Sequence, residues 1–207
     1  MSFIDKYRPT CLEDTVYNDM ATKKRVQQYA TSKRAGNIIL HGPKGTAKST
    51  TARIICEELA RNVDCGYPVS VYQSSGLTLE NMDKIWNDWN WQRAMGIENP
   101  YVIIEEVDQL THKAQLKLRS MLDEASIGKV IMTTNNIHAV DVPLVDRCDE
   151  IEMPLTNSDM WLERSRAILN AEGIKCSDKQ LQALLKTCNG SIRDLMNALE
   201  DYALERK

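Results

Sequence analysis

Up to about residue 150 short apolar runs alternate with amphipathic stretches, the pattern of βαβ units built around a parallel sheet. NIILHG (37–42) predicts a short strand ending in a glycine turn, and Ser49 to Arg61 a helix carrying an apolar stripe of Ile54, Ile55 and Leu59. YPVSVYQ (67–73), YVIIEEVD (101–108) and KVIMTTNN (129–136) predict three further strands; the second of these runs into carboxylates and the third into polar residues. Helices are expected between them over about 78–94 and 111–124, the latter through Leu116, Leu118, Met121 and Leu122. After DEIEMPLT (149–156) the alternation stops. The segments 158–171, 177–187 and 191–206 all read as helical, separated by EGIKCS and a CNGS turn in which Asn189-Gly190 stops one helix and Ser191 caps the next. A boundary near residue 154 is expected, with an α/β domain over 1–153 and a small all-α domain over 154–207. There is no internal repeat and no low-complexity tract.

Composition narrows this little. The 207 residues are 43% hydrophobic and 27% charged with a net charge of −3, which excludes a globally basic nucleic-acid coat but leaves a local basic face open. Six cysteines without a C-x-x-C pair indicate neither a zinc module nor a disulfide framework, and a reducing cytosolic setting is the expectation. No apolar run approaches the roughly 18 residues of a membrane span, and MSFIDKYRPT lacks the apolar stretch of a signal peptide. His41, His112 and His138 are too dispersed for a metal site. Trp86 and Trp89 lie one helical turn apart and read as core; with Trp91 they form a base-stacking or partner surface only if exposed.

The chemistry starts at HGPKGTAKST (41–50). Gly42, Lys48 and Ser49 fit the phosphate-loop pattern G-x-x-x-x-G-K-[ST], while Ala47 stands at the second glycine. Strand, glycine turn and helix N-terminus are all expected in place, so that Lys48 reaches β- and γ-phosphates and the Ser49 hydroxyl ligates Mg²⁺. Ala47 still offers its backbone N–H. Its Cβ either crowds a phosphate or, if the residue must hold φ > 0, costs about 1 kcal/mol or more. The loop alone leaves three readings open: a working cradle, a degenerate one, or a turn that resembles one by accident.

Companions bear on that choice. Glu105, at the end of the 101–108 strand, stands where a metal-side carboxylate belongs and is one methylene longer than the usual aspartate; it reaches Mg²⁺ directly or through water. Glu106 stands where a general base would. Asn135 either orients an attacking water or caps a turn. Arg147 either pairs with a phosphate on a neighbouring subunit or makes a surface salt bridge with Asp146 or Asp149. Arg193 either reaches back to the γ-phosphate from the helical domain or is one more exposed arginine.

In this order the pieces resemble the AAA+ ATPases and, within them, the clamp-loader family of replication factor C and its phage and archaeal relatives. DKYRPTCLEDTV is similar to the family's N-terminal box (5–18), HGPKGTAKST to its Walker A region, VIIEEVD to its apolar-D-E-x-D and TTNN to its first sensor. VPLVDRC resembles the P-[IL]-x-S-R-C stretch with Asp146 for the serine, NGSIRDLMNALE the second-sensor helix, and THKAQLKLRSMLDE the segment in which a glutamine (Gln115) and an arginine recur. The resemblance implies an α/β AAA+ (P-loop) fold, a parallel sheet flanked by helices, followed by a small all-α lid. It implies ATP and Mg²⁺ as cofactors. Tyr7, Arg8, Pro9 and Val16 would then contact adenine, and the loop Gly42, Pro43, Lys44, Gly45, Thr46, Ala47, Lys48, Ser49 and Thr50 would hold the phosphates. Ser49 and Glu105 would serve the metal, and Lys48, Glu106, Asn135 and Arg193 would act in catalysis, with Arg147 supplied in trans. The partners implied are primer–template DNA gripped through phosphates, a sliding clamp and other clamp-loader subunits in a homo- or hetero-oligomer. No membrane is implied, and the setting is the cytoplasm, replisome or nucleus according to host. Lys113, Lys117 and Arg119 are candidate DNA contacts, a solvated helix face being the alternative. Family members continue into a third, collar domain, whereas this chain is expected to end with the second. Two other functions stay open: a helicase-loader or initiator-type ATPase, and a nucleotide-binding scaffold with little or no hydrolysis.

Overall fold

The computed structural model describes residues 2–61, 69–124 and 128–206. In chain order the elements are α1 (Phe3–Lys6), α2 (Met20–Ala30), β1 (Asn37–His41), α3 (Lys48–Arg61), β2 (Val71–Gln73), α4 (Asp83–Ala94), β3 (Tyr101–Glu105), α5 (His112–Glu124), β4 (Lys129–Thr134), α6 (Val142–Val145), β5 (Cys148–Glu152), α7 (Leu162–Ala171), α8 (Asp178–Lys186) and α9 (Ile192–Leu204). The strands form one sheet in the order β2-β3-β4-β1-β5, every pairing parallel.

Alternation along each strand explains the two main cores. Ile39, Val102, Ile104, Val130 and Met132 turn to one face, where α4 and α5 cover them with Ile85, Trp89, Leu118 and Leu122. Ile38, Leu40, Tyr101, Ile103 and Ile131 turn to the other, beneath Val26 and Tyr29 of α2 and Ala52, Ile55 and Leu59 of α3. Burial on both faces is why these strands read as continuous apolar runs. A third core, built on Trp161, Ile168, Leu181, Leu185, Leu195 and Leu199, holds α7, α8 and α9 together, and Phe3, Ile4, Tyr7 and Val16 pack against it. Ser177 and Gln180 close a capping box on α8, and Ser191 caps α9 by accepting from the Asp194 N–H at 3.3 Å.

The structure corrects the sequence reading at several elements. The expected strand over 67–73 is found at Val71–Gln73, and its residues Tyr67 and Pro68 lie outside the described set. The helix expected from 78 begins at Asp83, because Asn81 accepts from the Thr78 N–H at 2.7 Å and donates to the Gly76 carbonyl at 2.7 Å, closing a turn instead. Four elements went unread: the one-turn helices α1 and α6, the helix α2 and the strand β5. The helix α2 follows Asp19, whose carboxylate caps it by accepting from the Thr22 N–H at 2.7 Å. The strand β5 pairs with β1 from Asn37↔Cys148 to His41↔Glu152, yet only Ile151 of its five residues is buried.

Trp89 anchors the α4 side of the sheet. Its ring is fully buried and meets Trp86 edge-on at 5.4 Å, and its Nε1–H donates to the Lys129 carbonyl at 3.0 Å. Gly128 lies against the ring so closely that a Cβ there would fall 2.1 Å from Cγ. Trp89→Ala is expected to lower stability by about 3–5 kcal/mol, whereas Trp91→Ala, at a residue 58% exposed, should change it little; urea unfolding measures both.

Candidate functional site

The phosphate-loop segment leaves β1 through Gly42, whose φ of 139° and surroundings exclude a side chain: a Cβ would lie 2.3 Å from the Met153 carbonyl oxygen. At Gly45 (φ 79°) a Cβ would meet Ser191 Oγ at 2.5 Å, and the Gly45 carbonyl accepts the Ile192 N–H at 2.8 Å. The two glycines therefore let the end of β5 and the first turn of α9 close on the loop. Ala47 holds φ 63°, the left-handed region, so its departure from glycine is carried as backbone strain. Its carbonyl accepts from Thr51 at 2.8 Å as α3 begins.

Lys48 is buried, and its ammonium folds onto the loop, donating to the carbonyls of Gly42 at 2.8 Å and Pro43 at 2.6 Å. Burial pulls its pKa down to about 8; the charges of Asp108 and Glu106 oppose that shift, and Arg193 adds to it.

Two adjoining cavities flank the loop and share Gly45, Ala47, Ser49, Thr50 and Arg193. One, of about 330 Å³, is walled by Tyr7, Arg8, Pro9 and Val16 on one side and by Trp161, Ile192 and Met196 on another. The other, of about 240 Å³, brings Lys44, Thr46 and Lys48 together with Glu106, Asn135 and Arg193. Gly42 and Pro43, expected to hold phosphates, line neither cavity and instead offer their carbonyls to Lys48.

Tyr7 is fixed by donating to Glu172 Oε1 at 2.6 Å, and Lys6 pairs with the same oxygen at 2.6 Å. Glu106 sits at φ 57° just past β3, its N–H donating to Thr133 Oγ1 of β4 at 3.2 Å. Beside it Thr134 donates to Asp108 at 2.6 Å, which fastens the ends of β3 and β4 together. Glu105 lines the first cavity with Ser49, a pair of hard oxygen donors of the kind Mg²⁺ takes. Its carboxylate is engaged on both oxygens, by Arg53 Nη2 at 3.3 Å and by the Gln73 amide. Arg53, Trp161 and Arg164 also line this cavity and were not singled out from the sequence; the available signal was that Arg53 follows Ser49 by one helical turn.

Arg147 lies apart from these groups. It immediately precedes β5, whose first residue pairs with Asn37 at the start of β1, so it occupies the opposite rim of the sheet from Gly42. Its guanidinium is held by Asp123 at 2.5 and 2.8 Å and by the Pro143 carbonyl at 2.5 Å. Neither partner expected from sequence is used; Asp149 is taken by Arg25 at 2.9 Å and Tyr29 at 2.7 Å. Of the candidate DNA contacts, Lys117 pairs with Asp83 at 3.1 Å and Arg119 with Asp141 at 3.2 Å, while Lys113 is exposed.

Two outcomes follow from the loop. Ala47→Gly should raise thermal stability, by about 0.5–1 kcal/mol once the extra freedom of glycine in the unfolded chain is deducted. A bound polyphosphate restores the charged form of Lys48, so binding should take up a proton above pH 8 or so and weaken as the pH rises further. Calorimetry of ATP binding in buffers of different ionisation enthalpy reads that proton.

Comparison with known proteins places the fold and the family. The chain is 22% identical to Replication factor C subunit 4 of Caenorhabditis elegans over 98% of its own length and 63% of the relative's. It is 26% identical to the Replication factor C small subunit of Aeropyrum pernix, over 97% and 62%, and 26% identical to Replication factor C subunit 2 of Arabidopsis thaliana, over 96% and 60%. It thus spans about three fifths of the length of these curated relatives. Among solved structures, the Holliday junction branch migration motor RuvB of Thermotoga maritima superposes with a TM-score of 0.71 at 17% identity, over 96% of this chain and 65% of that one, which shows a shared fold. Among the described residues no helix is long and apolar enough to cross a membrane. The model of the ATPase family associated with various cellular activities (AAA) matches residues 38–154, more than half of the chain. The protein belongs to this AAA family, whose P-loop fold implies nucleotide binding with the usual dependence on Mg²⁺.

Proposed function

We propose that the chain is an ATP-binding and ATP-hydrolysing subunit of an oligomeric clamp loader, placing a sliding clamp on primer–template DNA during replication. The observation that carries this reading is the extent of its similarity to replication factor C subunits. That similarity runs through 96–98% of the chain and so takes in the N-terminal box and the C-terminal helices as well as the ATPase core.

In this reading adenine occupies the cavity walled by Tyr7, Arg8, Pro9 and Val16, and the phosphates lie along Lys44–Thr50. Lys48 turns its ammonium from loop carbonyls to phosphate oxygens. Ser49 and Glu105 would hold Mg²⁺, directly or through water, and the bound ion would supply neutralisation of charge on the transferred phosphoryl group. Glu106 accepts the proton of the attacking water, which Asn135 orients. Arg193 approaches the γ-phosphate from α9, whose first N–H is bonded to the loop. Division of the chain at residue 154 belongs to the same proposal: the helices beyond it own a separate core and act as a lid that carries Arg193.

Arg147 completes a neighbour's site. Its position on the rim away from its own loop supports action in trans, and Asp123 keeps its planar guanidinium oriented meanwhile. DNA is gripped by phosphate contacts without regard to sequence, with exposed Lys113 the remaining candidate on α5. The setting is the replisome, in cytoplasm or nucleus according to host.

A second reading, a nucleotide-binding scaffold without turnover, draws on the strain at Ala47 and the double engagement of Glu105. Turnover measured on the chain alone, with primed DNA, and with DNA and clamp separates the two. Clamp-dependent stimulation supports the proposal, and binding without turnover under all three conditions supports the scaffold. The trans arrangement has its own test. Arg147→Ala and Lys48→Ala chains should each fall about 10³-fold or more in assembled turnover, and mixing them should recover part of it, since one supplies a competent nucleotide site and the other the arginine. No recovery on mixing sinks the trans assignment.

A further inference from the structure

Glu105 is the carboxylate assigned to the metal, yet it is already occupied by cationic and amide donors. Arg53 Nη2 stands 3.3 Å from Oε1 and the Gln73 amide bonds Oε2, while Ser74 Oγ donates to the Glu105 carbonyl at 2.8 Å and fixes the backbone beneath. The carboxylate side chain is 12% exposed and the Arg53 side chain 39% exposed. Arg53 and Ser49 are four residues apart on α3, hence on one helical face, and both line the cavity that Glu105 lines. The extra methylene of glutamate over aspartate lengthens the reach of the carboxylate towards Arg53 and towards Gln73 on the neighbouring strand.

Resting on the reading of this cavity as the nucleotide site, we infer that Arg53 is a positioning residue that competes with Mg²⁺ for Glu105. A divalent cation arriving at Ser49 and a guanidinium held one turn further along the same helix draw on the same acceptor. A carboxylate oxygen that accepts from Arg53 has less of its lone-pair density for the metal, or for a water the metal carries, and repulsion between two cations opposes holding both at once. Arg53 therefore sets the Mg²⁺ concentration at which the site becomes fully loaded. Gln73, being neutral, can keep its bond in either state.

The test is calorimetry of ATPγS binding at a series of fixed MgCl₂ concentrations and in EDTA, with the wild-type chain and folded variants. Arg53→Ala should lower the half-saturating Mg²⁺ concentration by about threefold to tenfold, the effect of removing one partly exposed charge-assisted hydrogen bond. Arg53→Lys, which keeps a cation, should retain most of the wild-type requirement. In a Glu105→Gln background, Arg53→Ala should make no further difference, because the shared acceptor has lost its charge. If Arg53→Ala aggregates or melts early, Arg53→Gln replaces it with the same expected direction. An unchanged or raised Mg²⁺ requirement in a variant with wild-type melting temperature overturns the inference. So does a loss of affinity equal in EDTA and in Mg²⁺, which would make Arg53 a plain phosphate ligand. In both cases the nucleotide site itself stands; wild-type chain that binds no ATPγS at any Mg²⁺ concentration overturns site and inference together.

Discussion

All five strands run in one direction, so each crossover returns the chain to the same end of the sheet and delivers whatever follows a strand to the same rim. The neighbours β3, β4 and β1 lie about 4.8 Å apart in the sheet, which sets Glu105 and Glu106, Thr134 and Asn135, and the 42–49 loop side by side although Gly42 and Asn135 are 93 positions apart in the chain. The central strands β1, β3 and β4 are buried on both faces, so their polar groups gather where the strands run out: Ile103 and Ile104 are sealed, Glu105 is half-buried and Glu106 is exposed. The same rule puts Arg147, at the start of β5, on the far rim. A residue there has no route to its own loop.

Charge at the rim is balanced by the backbone as much as by side chains. Lys48 is the costliest group of the site, a buried ammonium, and the carbonyls of Gly42 and Pro43 are what keep it satisfied. Those carbonyls can converge because Gly42 passes against Met153 without a Cβ, and because the loop then turns through positive φ at Gly45 and Ala47. Loop geometry and lysine chemistry are in that sense one feature. The strained alanine is tolerated because strand, helix and lid fix the conformation from three sides.

Much of this could be read from residue order. Apolar runs marked the buried strands, and the sheet's parallel course followed from alternation with amphipathic helices. The phosphate-loop residues stood out because their spacing is local. What escaped was non-local or weakly patterned. β5 is an edge strand with one buried residue and no apolar run, and the first half of α2 carries TKKR (22–25), which hides the stripe of Val26, Tyr29 and Ala30. The partner of Arg147 was misread because Asp123 comes from α5, 24 positions away, while Asp146 and Asp149 were merely nearby in sequence. The hold on Glu105 spans 52 positions to Arg53 and 32 to Gln73, and no local pattern announces it. For Ala47 the sequence posed two alternatives and the backbone angle chose between them.

The contacts that hold the N-terminal segment, one wall of the larger cavity, are among the most distant in the chain. Tyr7 and Glu172 are 165 positions apart, Asp14 and Arg164 are 150, and Asn18 bonds the Leu155 carbonyl across 137. Closing such loops is slow and gains nothing until the far partner exists. During synthesis the sheet and its phosphate loop can therefore collapse while the N-terminal segment still has no wall to lean on. Only after α7 and α9 leave the ribosome does that segment fold back. On the proposed reading of this cavity as the nucleotide site, ligand then stabilises the whole chain by mass action, and a truncated product, however well its sheet is formed, is left for proteases without that protection.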